Sequence, residues 1–90
     1  MDVKPIDTPF IVHVHLFARA RELAGTGTVA VELPRGASVG LLRSALADRV
    51  PALRGLLPRS RIAINHDFAA DGCGIGPTDE VAVVPPVSGG

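Results

Sequence analysis

Gly89 and Gly90 close the sequence, and of all its residues they are the best suited to chemistry. A terminal glycine pair presents an α-carboxylate with no side chain beside it, slim enough to thread a channel that admits nothing larger. Glycine makes up about 7% of average usage, so such a pair arises by chance about once in 200 chains. Its meaning therefore rests on what precedes it. Pro85 and Pro86 come first, then Val87 and Ser88. The two prolines donate nothing to a sheet ladder and favour an extended polyproline conformation. Six residues at 3.1–3.4 Å each give this segment a reach of about 20 Å.

Other reactive residue types form no comparable pattern. His13 and His15 are two apart, so on a strand they share a face, as two metal ligands would. Zinc needs three or four ligands, and His66 and Cys73 are the loose candidates to complete such a set. The expectation is no metal site. Cys73 lies between Gly72 and Gly74, which supply neither the cation nor the helix N-terminus that activates a thiol. Gly25-Thr26-Gly27 is too short for a phosphate-cradling loop and does not lie between a strand and a helix. The tail is left as the reactive end.

The elements that must hold it out are legible in the apolar pattern. Phe10 to Phe17 alternates, with Phe10, Val12, Val14 and Leu16 on one face and Ile11, His13, His15 and Phe17 on the other. Ala18 to Ala24 reads as one or two helical turns stopped by Gly25. Thr28 to Leu33 alternates again, and the two strands pair antiparallel. Ser38 is an N-cap, followed by a helical stripe of Val39, Leu42, Leu46 and Val50 that Pro51 ends. Ala52 to Pro58 is a loop or short turn. Arg61 to Asn65 is a strand, Asn65-His66-Asp67 a turn, and Phe68 the start of a short return strand. Asp71 to Pro77 is an irregular loop, and Glu80 to Val84 is the last strand.

This order predicts an α+β fold: one main helix on one face of a mixed four- to five-stranded sheet. The helix can carry a crossover, so the first and last strands run parallel in the middle. That is the β-grasp, or ubiquitin-like, architecture; a ferredoxin-like fold would want a second long helix. The chain divides into an extension over residues 1–9, a body over 10–84 and a tail over 85–90. The face away from the helix carries Phe17 and Val84, with Phe68 nearby. Such an apolar patch marks a docking surface for a partner.

Composition narrows the function. Ninety residues make one domain, and 47% hydrophobic content supports a packed core. Net charge is zero and Trp and Tyr are absent, which argues against nucleic-acid binding. Arginines 19, 21, 43, 49, 54, 59 and 61 are interleaved with acids and read as solvated surface charge. A single cysteine excludes an internal disulfide and points to a reducing compartment, the cytoplasm. No apolar run approaches the ~20 residues that span a bilayer.

Three motifs carry a resemblance. Leu16-Phe17-Ala18-Arg19-Ala20-Arg21-Glu22-Leu23-Ala24-Gly25 resembles the opening motif of the small subunit of molybdopterin synthase, which runs Phe-Ala, two variable residues, Arg-Glu, then Gly. Ile62-Ala63-Ile64-Asn65 is similar to that family's third-strand signature. Asp79-Glu80-Val81 with Pro85 to Gly90 is similar to its C-terminal signature. The likeness covers residues 10–90 in order and spacing. Pro77-Thr78 departs from it, standing where Asp-Gly often precedes Asp-Glu-Val, a change of loop detail.

The resemblance implies a sulfur carrier of molybdenum cofactor biosynthesis. An adenylating enzyme related to the ubiquitin E1 enzymes would use ATP to activate the Gly90 carboxylate. Sulfur from a sulfurtransferase or desulfurase would then replace AMP, leaving a thiocarboxylate that is delivered to cyclic pyranopterin monophosphate. Gly90 would be the reacting group, Gly89 its slim neck, and Phe17, Phe68 and Val84 the contacts with the large synthase subunit in a heterotetramer. The chain itself would bind no cofactor and need no membrane. Rival readings are a carrier for cysteine or thiamine synthesis, a ubiquitin-like modifier joined to lysines through Gly90, and a plain interaction module.

Overall fold

The last strand in sequence is the middle strand in space. The computed structural model describes residues 8–87, and its elements are β1 (Phe10–Leu16), α1 (Ala18–Ala24), β2 (Thr28–Leu33), α2 (Val39–Arg49), β3 (Arg61–Ile64), β4 (Asp67–Ala69) and β5 (Val81–Val84). They form one sheet in the order β2-β1-β5-β3-β4. β1 pairs antiparallel with β2 and parallel with β5, placing Val14 opposite Val81 and Leu16 opposite Val83. β3 pairs antiparallel with both β5 and β4. The expected β-grasp is present, with five strands.

Alternation decides which side chains meet the helix. Val12, Val14 and Leu16 of β1 and Val81 and Val83 of β5 are all at most 2% exposed. Against them α2 lays Val39, Leu42 and Leu46, each fully buried. Burying one such side chain contributes about 1.5–3 kcal/mol. The helix also has to carry the chain from β2 to β3, across β1 and β5. Three strand spacings measure about 14 Å and eleven helical residues about 16 Å, so α2 suits the crossing.

Local signals fix the ends of these elements. Ser38 Oγ accepts a hydrogen bond from the Leu41 amide at 3.2 Å and so caps α2. Gly25 ends α1 at φ 75°, its amide donating to the Arg21 carbonyl. Of the loop or short turn expected over Ala52 to Pro58, the chain takes the turn form, twice: 3₁₀ turns at Pro51–Leu53 and Leu57–Arg59 bury Leu53 and Leu57. The β3–β4 hairpin turns on Asn65 and His66, both at positive φ (51° and 75°), with Ile64 paired to Asp67. Two consecutive positive φ values are what a two-residue hairpin turn demands.

Asn65 also ties this turn to the loop before β5. Its backbone amide donates to the Glu80 carbonyl, and its side chain donates to Asp79 Oδ1 at 2.9 Å while accepting from the Glu80 amide at 2.8 Å. The Gly76 amide donates to the other Asp79 oxygen at 2.7 Å. These two donors, Gly76 first and Asn65 second, hold the Asp79 carboxyl below its ordinary value of 3.8. The Asn and Asp-Glu-Val signatures, 14 residues apart, are therefore one structural unit.

The reading of every arginine as solvated charge fails at Arg43, which is half-buried between elements. Its Nε donates to Asp71 Oδ1 at 2.9 Å, and its Nη1 donates to the carbonyls of Leu57 and Ser60. Sequence alone could not show this, because the carbonyls lie 14 and 17 residues away. The loop around Cys73 also closes on α2: the Asp71 and Cys73 carbonyls accept from the Gly40 and Val39 amides, both at 2.9 Å. Cys73 was expected to have no helix N-terminus beside it, yet the fold brings one, engaged by its carbonyl.

Two outcomes are expected. Arg43→Ala leaves two part-buried carbonyls unpaired and lowers unfolding free energy by about 2–3 kcal/mol, read from urea denaturation. Asp79 has a lowered folded pKa, so its contribution is complete above the unfolded value and is lost as pH falls through the folded one. Asp79→Asn therefore costs stability at neutral pH and flattens the acid limb below about pH 4, visible in urea midpoints collected down the pH scale.

Candidate functional site

Four strands and one turn build a shallow depression on the sheet face opposite α2. His15 comes from the end of β1 and Phe17 from just beyond it, Ala63 from β3, Phe68 from β4, and Ala82 and Val84 from β5, with His66 and Glu80 at the rim. Ala63 floors it at 8% exposure, whereas Phe17 and Phe68 stand 52% and 54% exposed. The register makes this assembly unavoidable: Ala63 lies opposite both Phe68 and Ala82, and Ala82 lies opposite His15. All three residues expected to form a docking patch, Phe17, Phe68 and Val84, meet here. Ile11, on the same face of β1, is also exposed at 53%.

Phe17 owes its position to the residue after it. Ala18 adopts φ 51°, an uncommon value for a residue with a Cβ. The chain turns there into α1, and the Phe17 carbonyl accepts from the Ala20 and Arg21 amides. Phe17 is thus left in extended conformation on the open face. Sequence reading gave α1 its limits but missed the left-handed residue that sets its angle.

The tail begins beside this depression. After Val84 the chain leaves the centre of the sheet, and Pro85 is buried while Pro86 and Val87 are exposed. Pro85 starts the tail and anchors it. Its ring packs where the strand ends, and it has no N–H to leave unpaired. Ser88, Gly89 and Gly90 lie outside the described residues, as do residues 1–7 of the extension. At its near end, Thr8 offers a carbonyl to Arg35 Nε at 3.2 Å.

The histidines sort differently from their spacing. His15 Nε2 lies 3.7 Å from one Glu80 oxygen and His66 Nε2 lies 3.4 Å from the other, so Glu80 bridges β1 and the hairpin turn. His13 stays apart on the exposed face. Cys73, the other loose candidate ligand, sits at the start of α2. Among the described residues no group of three or more His, Cys, Asp or Glu side chains is arranged to hold a metal. No helix among them is long and apolar enough to cross a membrane.

Arg61 adds a feature that sequence reading missed. It opens β3 directly opposite Val84, and its guanidinium carbon lies 3.9 Å from the centre of the Phe68 ring. A cation over an aromatic face at this distance is attracted by the ring quadrupole.

Comparison with known proteins agrees with this geometry. A relative in Arabidopsis thaliana, a molybdopterin synthase sulfur carrier subunit, is 33% identical over 88% of this chain and 82% of its own length. The molybdopterin synthase sulfur carrier subunit of Mycobacterium tuberculosis is 36% identical over 88% of this chain and 96% of its own. The crystal structure of Haloferax volcanii small archaeal modifier protein 1 superposes with a TM-score of 0.79 at 32% identity, covering 87% of this chain and 99% of that one. The model of the ThiS family matches residues 14–90, nearly the whole body and the tail. With a β-grasp sheet, a proline-anchored tail and that match, the chain belongs to the ThiS family.

Proposed function

We propose that this chain is the sulfur-carrying small subunit of a molybdopterin synthase, acting in the cytoplasm through the Gly90 carboxylate. The observation that carries the reading is the placement of the tail root, Pro85 to Val87, at the edge of the apolar depression of Phe17, Phe68 and Val84. A partner seated on that depression receives the tail in a fixed direction. Two relatives named as molybdopterin synthase sulfur carrier subunits support it.

The chemistry proceeds on the partners. A carboxylate is a poor electrophile until its oxygen becomes a good leaving group. An adenylating enzyme joins the Gly90 carboxylate to the AMP portion of ATP and releases pyrophosphate. A sulfide-level sulfur, supplied by a sulfurtransferase, then attacks the carbonyl carbon and AMP departs, leaving a thiocarboxylate. That group is a nucleophile made on demand; in the large subunit its sulfur bonds to cyclic pyranopterin monophosphate, and water then cleaves the acyl carbon–sulfur bond, returning the Gly90 carboxylate. The chain contributes a docking face and a reactive end, with no cofactor of its own.

A second reading has its own support. The likeness to a small archaeal modifier protein fits a modifier joined through Gly90 to lysines of other proteins. Mass spectrometry of the chain from its native cell separates the two. A mass gain equal to exchanging one oxygen for sulfur is the carrier's expected result, and lysine-linked conjugates in its place would establish the modifier.

Deleting Gly90 is expected to abolish sulfur loading while unfolding free energy stays within about 0.5 kcal/mol of the parent. Unchanged cofactor synthesis by the deleted chain would exclude both the carrier and this assignment. Phe68→Ala is expected to weaken binding to the large subunit by about 2 kcal/mol, roughly thirtyfold, in a titration calorimeter.

A further inference from the structure

Two guanidinium groups flank the point where the tail leaves the sheet, and the sulfur-carrier chemistry just described uses neither. Arg61 lies opposite Val84, the last residue of β5, with its guanidinium over Phe68. Arg59 lines a groove along Pro85, Pro86 and Val87, with Arg19 and Glu22 across from it. Most other arginines have partners: Arg19 pairs with Glu22, Arg43 with Asp71, Arg54 with Asp48, and Arg35 and Arg49 donate to backbone carbonyls. Arg21, the remaining one, lines neither the groove nor the depression. Among the described residues no carboxylate pairs with Arg59 or Arg61, and both are exposed.

Along β5 the charge is segregated, with Arg61 opposite one end and Glu80 at the other. Glu80, bridged to His15 and His66, occupies the far end of the depression. Three residues lie between it and Val84, which sets the two about 13 Å apart along the chain. The chain has no net charge, so any steering of a partner must come from local separation of this kind.

We infer that Arg59 and Arg61 form a cationic collar that docks on carboxylates ringing the entrance of the channel through which the adenylating enzyme takes the tail. The inference rests on the sulfur-carrier reading and names what that partner must present. A channel that admits only glycine leaves the tail root outside, against its rim, where protein interfaces are polar. A planar guanidinium matches a carboxylate with two parallel hydrogen bonds, which suits it to register the tail's entry. Stacking on Phe68 pre-orders Arg61, reducing the entropy lost on docking. The adenylating enzyme is the partner that meets the tail with its carboxylate still unmodified, so the encounter is testable with the chain as it is made.

The experiment is ATP–pyrophosphate exchange with the full chain and the adenylating enzyme from the same cell. For R59E/R61E the KM for the chain is expected to rise about tenfold or more with kcat nearly unchanged, the gap narrowing as salt is added. R59K/R61K is expected to recover part of the loss. R59Q/R61Q gives a milder form of the same effect, and thermal melting of all three is expected to match the parent because both side chains are exposed. An unchanged KM for R59E/R61E, or a defect confined to binding the large subunit, would overturn the collar while leaving the carrier reading intact. A parent chain that supports no exchange at all would bring down the carrier reading and the collar together.

Discussion

The rest of the molecule depends on the parallel pairing of β1 with β5. β5 is the last strand made, yet it fills the gap between β1 and β3, so the sheet is continuous only when the end of the chain is in place. That insertion completes the floor against which α2 packs, since Val81 and Val83 are both fully buried. It also decides where the tail starts: at the centre of a rigid sheet and not at a fraying edge. Strand ends and termini are usually the loosest parts of a domain. Here the strand is held on both sides, and Pro85 is buried just beyond it. The tail is therefore fixed at its root.

The same insertion makes the open apolar face. Parallel and antiparallel neighbours on either side of β5 set Ala82 between His15 and Ala63, and Phe68 joins from the next strand. One sheet face is spent on the helix and the core. The other is left with two half-exposed phenylalanines, which a monomer in water does not keep without use. Root and face are therefore products of one register, and their geometry cannot drift apart. The Asn65–Asp79–Gly76 network serves the same end, because it holds the hairpin turn and the loop entering β5 at a fixed separation.

Much of this was legible in the chain. The alternation in Phe10 to Leu16 and Thr28 to Leu33, the apolar stripe from Val39 to Leu46 and the caps at Ser38 and Gly25 are local patterns with direct physical causes. The strand–helix order, with a helix able to carry a crossover, was enough to place β5 beside β1. Phe17, Phe68 and Val84 were legible as a patch because strand periodicity assigns faces. Arg43 and Pro85 were not. A charged residue off a helical stripe is indistinguishable from a solvated one until distant carbonyls of the chain are brought to it. A proline after a strand reads as a stop, and its burial depends on the 3₁₀ turns and α1 that surround the sheet's end.

The sequence by itself determined the elements, their faces and the presence of a bare glycine end, because these follow from backbone propensity, side-chain period and residue size, all of which act over a few residues. Only the tertiary structure decided which charges are spent and which remain. Arg43 is consumed by Asp71 and two carbonyls, and Glu80 is bridged by histidines from two different elements. Arg61 rests on an aromatic ring beside the tail root. Electrostatic and hydrogen-bonding partners are set by proximity in space, and proximity between residues far apart in the chain exists only once the sheet has closed around its last strand.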